Sequence, residues 1–292
     1  MRKSPPVLPY LLVAPTFLFV CTFTIIPLAS AILGSLFRYQ LNIPRFQIPQ
    51  WHGLGNYIRL FSDEGFRGII GNTVLYVLVL VPATIIAALA LSLLVWGKIR
   101  GKEFFRLVFF HPSVLPMVSA ATIWLFFFTP DYGILNQVLH FFGYGGPQNW
   151  TGNPNMALWT LVIVAFWKQA GFSMLFILAG LQNIDRSVLE AARLDGSTGP
   201  GFLMNIVLPL IRRQILFVNT ITIIGAFQTV DHVFVLTKGG PSERSNLLLY
   251  QLWQVRFEQL DLGRAAAITV ILVAVLLALT TANFMTSERH ER

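Results

Sequence analysis

Charge is what this chain has least of. Only 12% of its 292 residues are Asp, Glu, Lys or Arg, against roughly 25% in an average soluble domain. Cysteine occurs once, at Cys21, so no disulfide framework or cysteine metal set can be built within the chain. There is no GxxxxGK[ST] phosphate loop and no HExxH pair, which excludes a built-in nucleotide motor and a zincin-type metal centre. The five histidines, His52, His111, His140, His232 and His290, are scattered over different segments, so neither a catalytic site nor a metal site is predicted. No internal repeat is visible, and with it goes the inverted-repeat signature of many secondary transporters. The formal net charge of +8 would suit nucleic acid, but the basic residues form no patch with interleaved aromatics. They stand in the gaps between apolar runs, and a nucleic-acid partner is set aside.

What is there is hydrophobicity. Apolar residues make up 55% of the chain, and the mean hydropathy is +0.65. Six apolar runs cover residues 10–36, 73–96, 107–128, 156–181, 215–236 and 265–284. Each meets the roughly 20 residues a helix needs to cross about 30 Å of hydrocarbon. In lipid the backbone must satisfy its own hydrogen bonds, so the runs are predicted to be helices. The expected fold is all-α: a polytopic membrane protein with six transmembrane helices in a single transmembrane domain, residues 1–292. The first run follows Arg2 and Lys3 but is too long for a signal peptide. It continues through Thr24 to Pro27 without a small-residue cleavage site, so it is read as a mature helix.

Basic residues orient the spans. With the N-terminus inside, the inner segments hold Arg2, Lys3, Lys98, Arg100, Lys102, Arg106, Arg186, Arg193, Arg212, Arg213, Arg289 and Arg292. The outer ones hold Arg38, Arg45, Arg59, Arg67, Lys238, Arg244, Arg256 and Arg264. The bias predicts both termini in the cytoplasm. The outer loops are rich in Gly, Pro, Asn and aromatics, which suits turns and short interfacial helices. Trp51, Tyr57, Trp150 and Trp159 are placed as headgroup anchors, with ligand contact the less favoured use.

One inner loop, residues 184–210, breaks the apolar pattern. Asp185 is a plausible N-cap for a short helix with apolar positions at Val188, Leu189, Ala192 and Leu194. Ala191 and Ala192 leave a face without bulk, and Gly196 can stop the helix in the left-handed region. Ser197 to Gly201 reads as a turn, and Phe202 to Leu210 as a second short helix running into a break at Pro209. Two readings of the pair stand: a linker lying in the headgroups, or a docking element for another protein.

The stretch EAARLDGSTGPGFLMNIVLP from Glu190 resembles the EAA loop of permease subunits of bacterial binding-protein-dependent ABC importers. The resemblance rests on Glu190-Ala191-Ala192, Asp195-Gly196, Ile206 and Leu208-Pro209. Ser197 stands where alanine is usual, and the segment from Gly199 to Gly201 is unusually rich in Gly and Pro. The likeness spans nearly the whole chain: PYLLVAPTFLFVCTFTIIPL at Pro9, GLGNYIRLF at Gly53, FWKQAGFSMLFILAGLQNID at Phe166, VLTKGGP at Val235 and LGRAAAITV at Leu262 look like the carbohydrate-uptake subfamily. Trp167-Lys168-Gln169 is most similar to the first permease of the maltose and glycerol-3-phosphate type systems. The resemblance implies the ABC type I importer permease fold in a bacterial inner membrane. It implies a coupling helix that seats Glu190, Ala191, Ala192, Asp195 and Gly196 against a cytoplasmic ATPase. It also implies the partners: two cytoplasmic ATPase subunits that bind the ATP and Mg, a second homologous permease, and an extracytoplasmic solute-binding protein. No cofactor is expected in the chain itself, which on this reading is a non-catalytic subunit importing a sugar or sugar-like solute.

Comparison with the maltose-type permease places Lys168, Gln169 and Phe172 at the central substrate site, and on the fifth span Thr222, Gly225, Gln228 and Thr229. Residues 168, 169 and 172 share a helical face; Thr222, Gly225 and Thr229 form one stripe. A lysine within a span costs about 2.5–3.5 kcal/mol on insertion scales, so Lys168 either serves the pathway or is neutralised by snorkelling or by pairing with a carbonyl or acid. The threonines serve either the pathway or helix packing. Asp231 and His232 are read as solvated or gate-forming, and Trp124, Pro112 and Pro116 as structural, the prolines bending the third span. The competing class is a stand-alone secondary transporter or channel for a small polar solute. It predicts a dense set of intramembrane ionisable groups, whereas only Lys168 lies deep.

Overall fold

The computed structural model describes residues 7–97, 100–144 and 148–288. Arg2, Lys3, Lys98, Arg289 and Arg292, which carry part of the charge bias, and His290 lie outside them. The described residues are mostly helical. The first run is α1 (Val7–Val20) and α2 (Ile26–Gly34), joined by one π turn at Cys21–Ile25. That turn sits just ahead of Pro27, whose missing N–H and bulky ring deprive the Phe23 carbonyl of its partner; widening the helix there absorbs the defect. A short antiparallel pair, β1 (Phe37–Arg38) and β2 (Gln50–Trp51), follows, with Phe37 opposite Trp51. After α3 (Gly55–Ser62) comes α4 (Glu64–Trp96), which starts nine residues before the apolar run assigned to it.

The third run is not one helix. It divides into α5 (Lys102–Val114) and α6 (Met117–Phe127), bent by 99°. The proline reading names the cause, but the outcome is a break rather than a bend. Leu115, directly before Pro116, is forced to φ −65° and ψ 137°, out of the helical region. After α7 (Ile134–Phe141), the fourth run is the unbroken α8 (Ala157–Gln182).

The inner loop holds α9 (Arg186–Leu194), then a continuous helical stretch made of α10 (Gly199–Phe202), a π turn at Leu203–Val207, and α11 (Leu208–Leu210). The second helix therefore begins three residues before the expected Phe202. Pro209 does not break it, because the π turn accommodates the proline as it does ahead of Pro27. The interruption falls at Ile211, after which α12 (Arg212–Phe227) leaves at 73° to the preceding helix. The fifth run, expected as one helix over 215–236, is likewise two: α12 and α13 (Asp231–Leu236). Gln228 leaves the helix at ψ 29°, and the β-branched pair Thr229 and Val230 has little propensity to carry it on. The chain ends with α14 (Leu248–Trp253), a π turn at Gln254–Glu258, and α15 (Leu262–Glu288). Among the described residues four helical stretches are thus long and apolar enough to cross a membrane, and the two bent pairs bring the total to as many as six.

The chain forms two compact units. In the first, residues 1–64 and 252–274, Asp261 is a buried hub. It accepts hydrogen bonds from the Gln40 side chain and from the Arg264 N–H at 3.0 Å. Asn56 donates to the carbonyls of Ser35 and Phe37 at 2.7 and 2.8 Å, fixing α3 against the start of the β pair. The second unit, residues 65–251 and 275–292, has a close-packed core. Ala88 and Val95 of α4 meet Met174, Ile177 and Leu181 of α8 there, with Val218 of α12. Gly171 lets α5 and α8 approach, since a Cβ there would overlap the Phe109 carbonyl. The outward surface is apolar, with Phe17, Leu78 and Ile86 each more than 60% exposed, as a lipid-facing exterior requires.

Candidate functional site

The loop between α8 and α10 is built by local rules. The Asp185 side chain accepts the Ser187 N–H at 3.0 Å and caps α9. That bond also holds the Asp185 carboxyl below its ordinary value of 3.8. At the other end Gly196 adopts φ +81°. Its N–H bonds the Arg193 carbonyl at 3.1 Å, and the Ser197 N–H bonds the Ala192 carbonyl at 3.0 Å. Those two bonds are the Schellman closure, which only glycine enters without strain. The Arg193 guanidinium then lies 5.9 Å from the Phe202 ring centroid, tying α9 to α10.

This framing decides what α9 shows to solvent. Glu190, Ala191, Asp195 and Gly196 are exposed, while Ala192 is buried. The two alanines therefore serve opposite sides. The apolar positions divide too. Leu189 is half-buried, but Val188 is exposed and Leu194 is 89% exposed. A fully presented leucine beside an exposed Glu-Ala pair is a surface that none of the described residues covers.

The second cluster lies on α8, α12 and α13. The Lys168 ammonium donates to the carbonyl of Ser113 at 3.0 Å and to that of Leu115. These are the acceptors left open where Pro116 breaks the third span, at the negative end of the α5 dipole. Gln169 is half-buried and Phe172 exposed. Phe172 stacks edge-on with Phe176 at 5.0 Å, and Phe176 packs at 5.3 Å against Phe217 of α12. Of the fifth-span residues, Thr222 and Thr229 are buried, Gly225 is half-buried and Gln228 exposed. The Thr229 hydroxyl donates to the Gly225 carbonyl at 3.2 Å, within its own stripe. His232 is buried, not solvated, with Nε2 3.1 Å from the Tyr76 hydroxyl, while Asp231 is exposed. Trp124 packs edge-on against Trp167 at 5.7 Å, a structural contact.

Sequence reasoning missed a polar face on α4. Asn72 donates to the carbonyls of Glu243 and Asn246 at 2.8 and 3.3 Å, and the Thr73 hydroxyl accepts the Leu248 N–H at 2.9 Å. With Tyr76 these form one polar face at i, i+1, i+4 in an otherwise apolar helix. That spacing was the available signal.

Comparisons with known proteins cover nearly the whole chain. Residues 80–287 match the family described as binding-protein-dependent transport system inner membrane component. The sn-glycerol-3-phosphate transport system permease protein UgpA of Yersinia enterocolitica is 31% identical over 286 residues, covering 98% of this chain and 95% of the relative. The same-named protein of Agrobacterium fabrum is 33% identical, covering 97% and 96%. The probable ABC transporter permease protein YesP of Bacillus subtilis is 33% identical, covering 95% and 89%. Among solved structures, a chain of a bacterial alginate ABC transporter in complex with its pentasaccharide-bound periplasmic protein superposes with a TM-score of 0.79 at 20% identity. That match covers 97% of this chain and 94% of the other, and it shows the shared fold.

Proposed function

The chain belongs to the binding-protein-dependent transport system inner membrane components, and from that premise we propose that it is one of two homologous permease subunits of an importer for a sugar or sugar-like solute. Its relatives include transporters of sn-glycerol-3-phosphate, so a small polyol or its phosphate ester is the substrate class favoured. Energy comes from two cytoplasmic ATPase subunits, and the solute from an extracytoplasmic binding protein. The permease itself carries out no chemistry. Both termini lie in the cytoplasm, as does the loop at 184–210. The observation that carries this reading is α9: a helix capped at both ends that presents Glu190, Ala191 and Leu194 to solvent. Rigid termini let such an element transmit force instead of absorbing it. Pathway lining is assigned to Lys168, Gln169, Phe172, Thr222, Gly225, Gln228 and Thr229.

The test is site-directed cross-linking in the assembled complex. Glu190→Cys and Leu194→Cys, in a Cys21→Ser background, should each cross-link to an introduced cysteine in the ATPase. The yield should change between nucleotide-free and ATP-bound states. No cross-link from either position, in a complex that transports, would refute the coupling role.

A further inference from the structure

Two adjoining cavities open beside α9, of about 620 and 300 Å³, sharing Trp96, Lys102, Arg186 and Leu189. Their walls come from the end of α4, the start of α5 and the outer face of α9. Cations dominate them. Arg100, Lys102, Arg186 and Arg193 line the larger cavity together with Glu190, and Arg106 lines the smaller one. Arg106 donates to Glu103 at 3.0 Å, yet its Nε is buried with no hydrogen-bond partner among the described residues. A buried guanidinium N–H left open is costly, and five cations against Glu103 and Glu190 leave an excess of positive charge that favours a further anion among them.

The level of the site narrows the anion. Lys102 and Arg106 are on the first turns of α5. Phe104, Leu107 and Val108 on the same turns are exposed at 65%, 62% and 46%. As α5 is half of an apolar span, those side chains stand in hydrocarbon while the cations stand at its edge. Trp96 at the end of α4 marks the same boundary. An acidic protein surface would satisfy the charges and leave the phenylalanine and leucine bare. A molecule with a phosphate at one end and acyl chains at the other satisfies both.

We propose that this basic cavity is a binding site for the headgroup of an anionic phospholipid, its phosphate held by Lys102, Arg106 and Arg186 and its acyl chains lying along the exposed side of α5. Arginine forks suit phosphate oxygens bidentately, and basic pockets at the ends of spans recognise such headgroups. Because Arg186 and Glu190 belong to α9, an occupied site joins the coupling loop to the lipid. The proposal draws on the orientation given above only for the leaflet; the pocket's chemistry does not depend on it.

The experiment uses the assembled complex in nanodiscs of phosphatidylcholine with a minor share of phosphatidylglycerol, and native mass spectrometry to count retained phosphatidylglycerol. The Lys102→Gln/Arg106→Gln/Arg186→Gln variant should retain at least about tenfold less than wild type, since each cation lost removes a charge-assisted contact. Lys238→Gln, outside the cavity, should retain as much as wild type. Arg100→Gln/Lys102→Gln changes only exposed side chains, so it tests the site without risk to folding and should lose lipid by a smaller factor. Equal retention by wild type and both cavity variants overturns the proposal. Displacement of the lipid by inorganic phosphate at concentrations matching the lipid's would assign the site to a free anion instead. Unchanged lipid with loss of the ATPase from the triple variant would assign it to protein docking. Either result also refutes the lipid site, while leaving the cross-linking test of the coupling role untouched.

Discussion

Replacing Lys168 with methionine separates two opposed effects. The wild-type ammonium holds the carbonyls of Ser113 and Leu115 at the 99° break between α5 and α6. Hydrogen bonds within membrane proteins contribute about 0.6 kcal/mol each, and at most about 1.7, so the two together hold the break by about 1–3 kcal/mol. Methionine keeps a long flexible side chain but donates nothing, which leaves both acceptors unpaired. At about 1.4 kcal/mol per factor of ten, the bent arrangement should lose roughly 5- to 150-fold in population relative to looser ones. Insertion moves the other way, because deleting a lysine from a span relieves about 2.5–3.5 kcal/mol on translocon scales. Membrane abundance should therefore stay level or rise while the bend loosens.

The bend can be read directly. Spin labels at Leu107 and Ile123, exposed at 62% and 43% on the two arms, report the angle as a distance distribution in a Cys21→Ser background. Measured without substrate, that distribution should be narrow for wild type and Lys168→Arg and broad for Lys168→Met. Uptake then distinguishes the substrate role. A loosened bend slows every substrate, whereas loss of a pathway charge slows anionic solutes far more than neutral ones. A distribution in Lys168→Met as narrow as that of wild type, together with normal uptake, would refute the bracing role. An uptake defect confined to anions with an unchanged bend would refute it as well, in favour of a purely substrate-directed lysine.

Gly196→Val should keep the protein in the membrane but uncouple transport, since φ +81° costs a β-branched residue about 1–3 kcal/mol; copurification of the ATPase measures it, and Gly196→Asn should retain most of the coupling. Gly171→Ala drives a Cβ into the Phe109 carbonyl and should destabilise by about 1–3 kcal/mol, read as a lower melting temperature in detergent, while Gly225→Ala meets nothing within 4 Å and should melt as wild type. Asp185 has its carboxyl held below 3.8 by the Ser187 N–H, so its cap is complete above that pH and is lost as pH falls through the lower folded value. Amide exchange at the start of α9 should accelerate on that acid limb in wild type, should be fast at all pH in Asp185→Ala, and should show no acid limb in Asp185→Asn.

The features legible in the sequence are those set by neighbouring residues or by the solvent. Apolar runs announce themselves because lipid dictates their length. Asp185 and Gly196 do so because each acts on backbone within a few positions of itself. The misread features depend on distant partners. Pro116 marks a disturbance in the third span, but whether the chain bends or breaks depends on what takes the freed carbonyls, and Lys168 lies more than fifty residues away from them. Pro209 looks like a break and is not one, because the π turn at Leu203–Val207 admits it, while the interruption falls at Ile211, a residue with no local signal. His232 reads as a solvated or gate-forming residue until Tyr76, 156 positions earlier, is found against it.

Broken backbone at membrane depth persists only where protein groups satisfy it or where it lines a water-filled cavity. Both broken spans here recruit polar side chains that the sequence offers as substrate contacts: Lys168 serves the break at Leu115, and Thr229 bonds the last turn of α12 through the Gly225 carbonyl. A side chain so engaged presents less of its hydrogen-bonding capacity to a solute. Gln169 and Gln228 differ. Neither side chain hydrogen-bonds with the described residues, and Gln228 is exposed where α12 ends. An amide carries two donors and an acceptor with two lone pairs, which matches hydroxyl groups that both donate and accept. The two glutamines therefore have the chemistry to read a polyol, while Lys168 and Thr229 are engaged with backbone carbonyls at the two breaks. Since a site built to bond hydroxyls discriminates strongly against analogues lacking them, changes at the glutamines should alter which solute is carried, and changes at Lys168 and Thr229 should alter how much of any solute is carried.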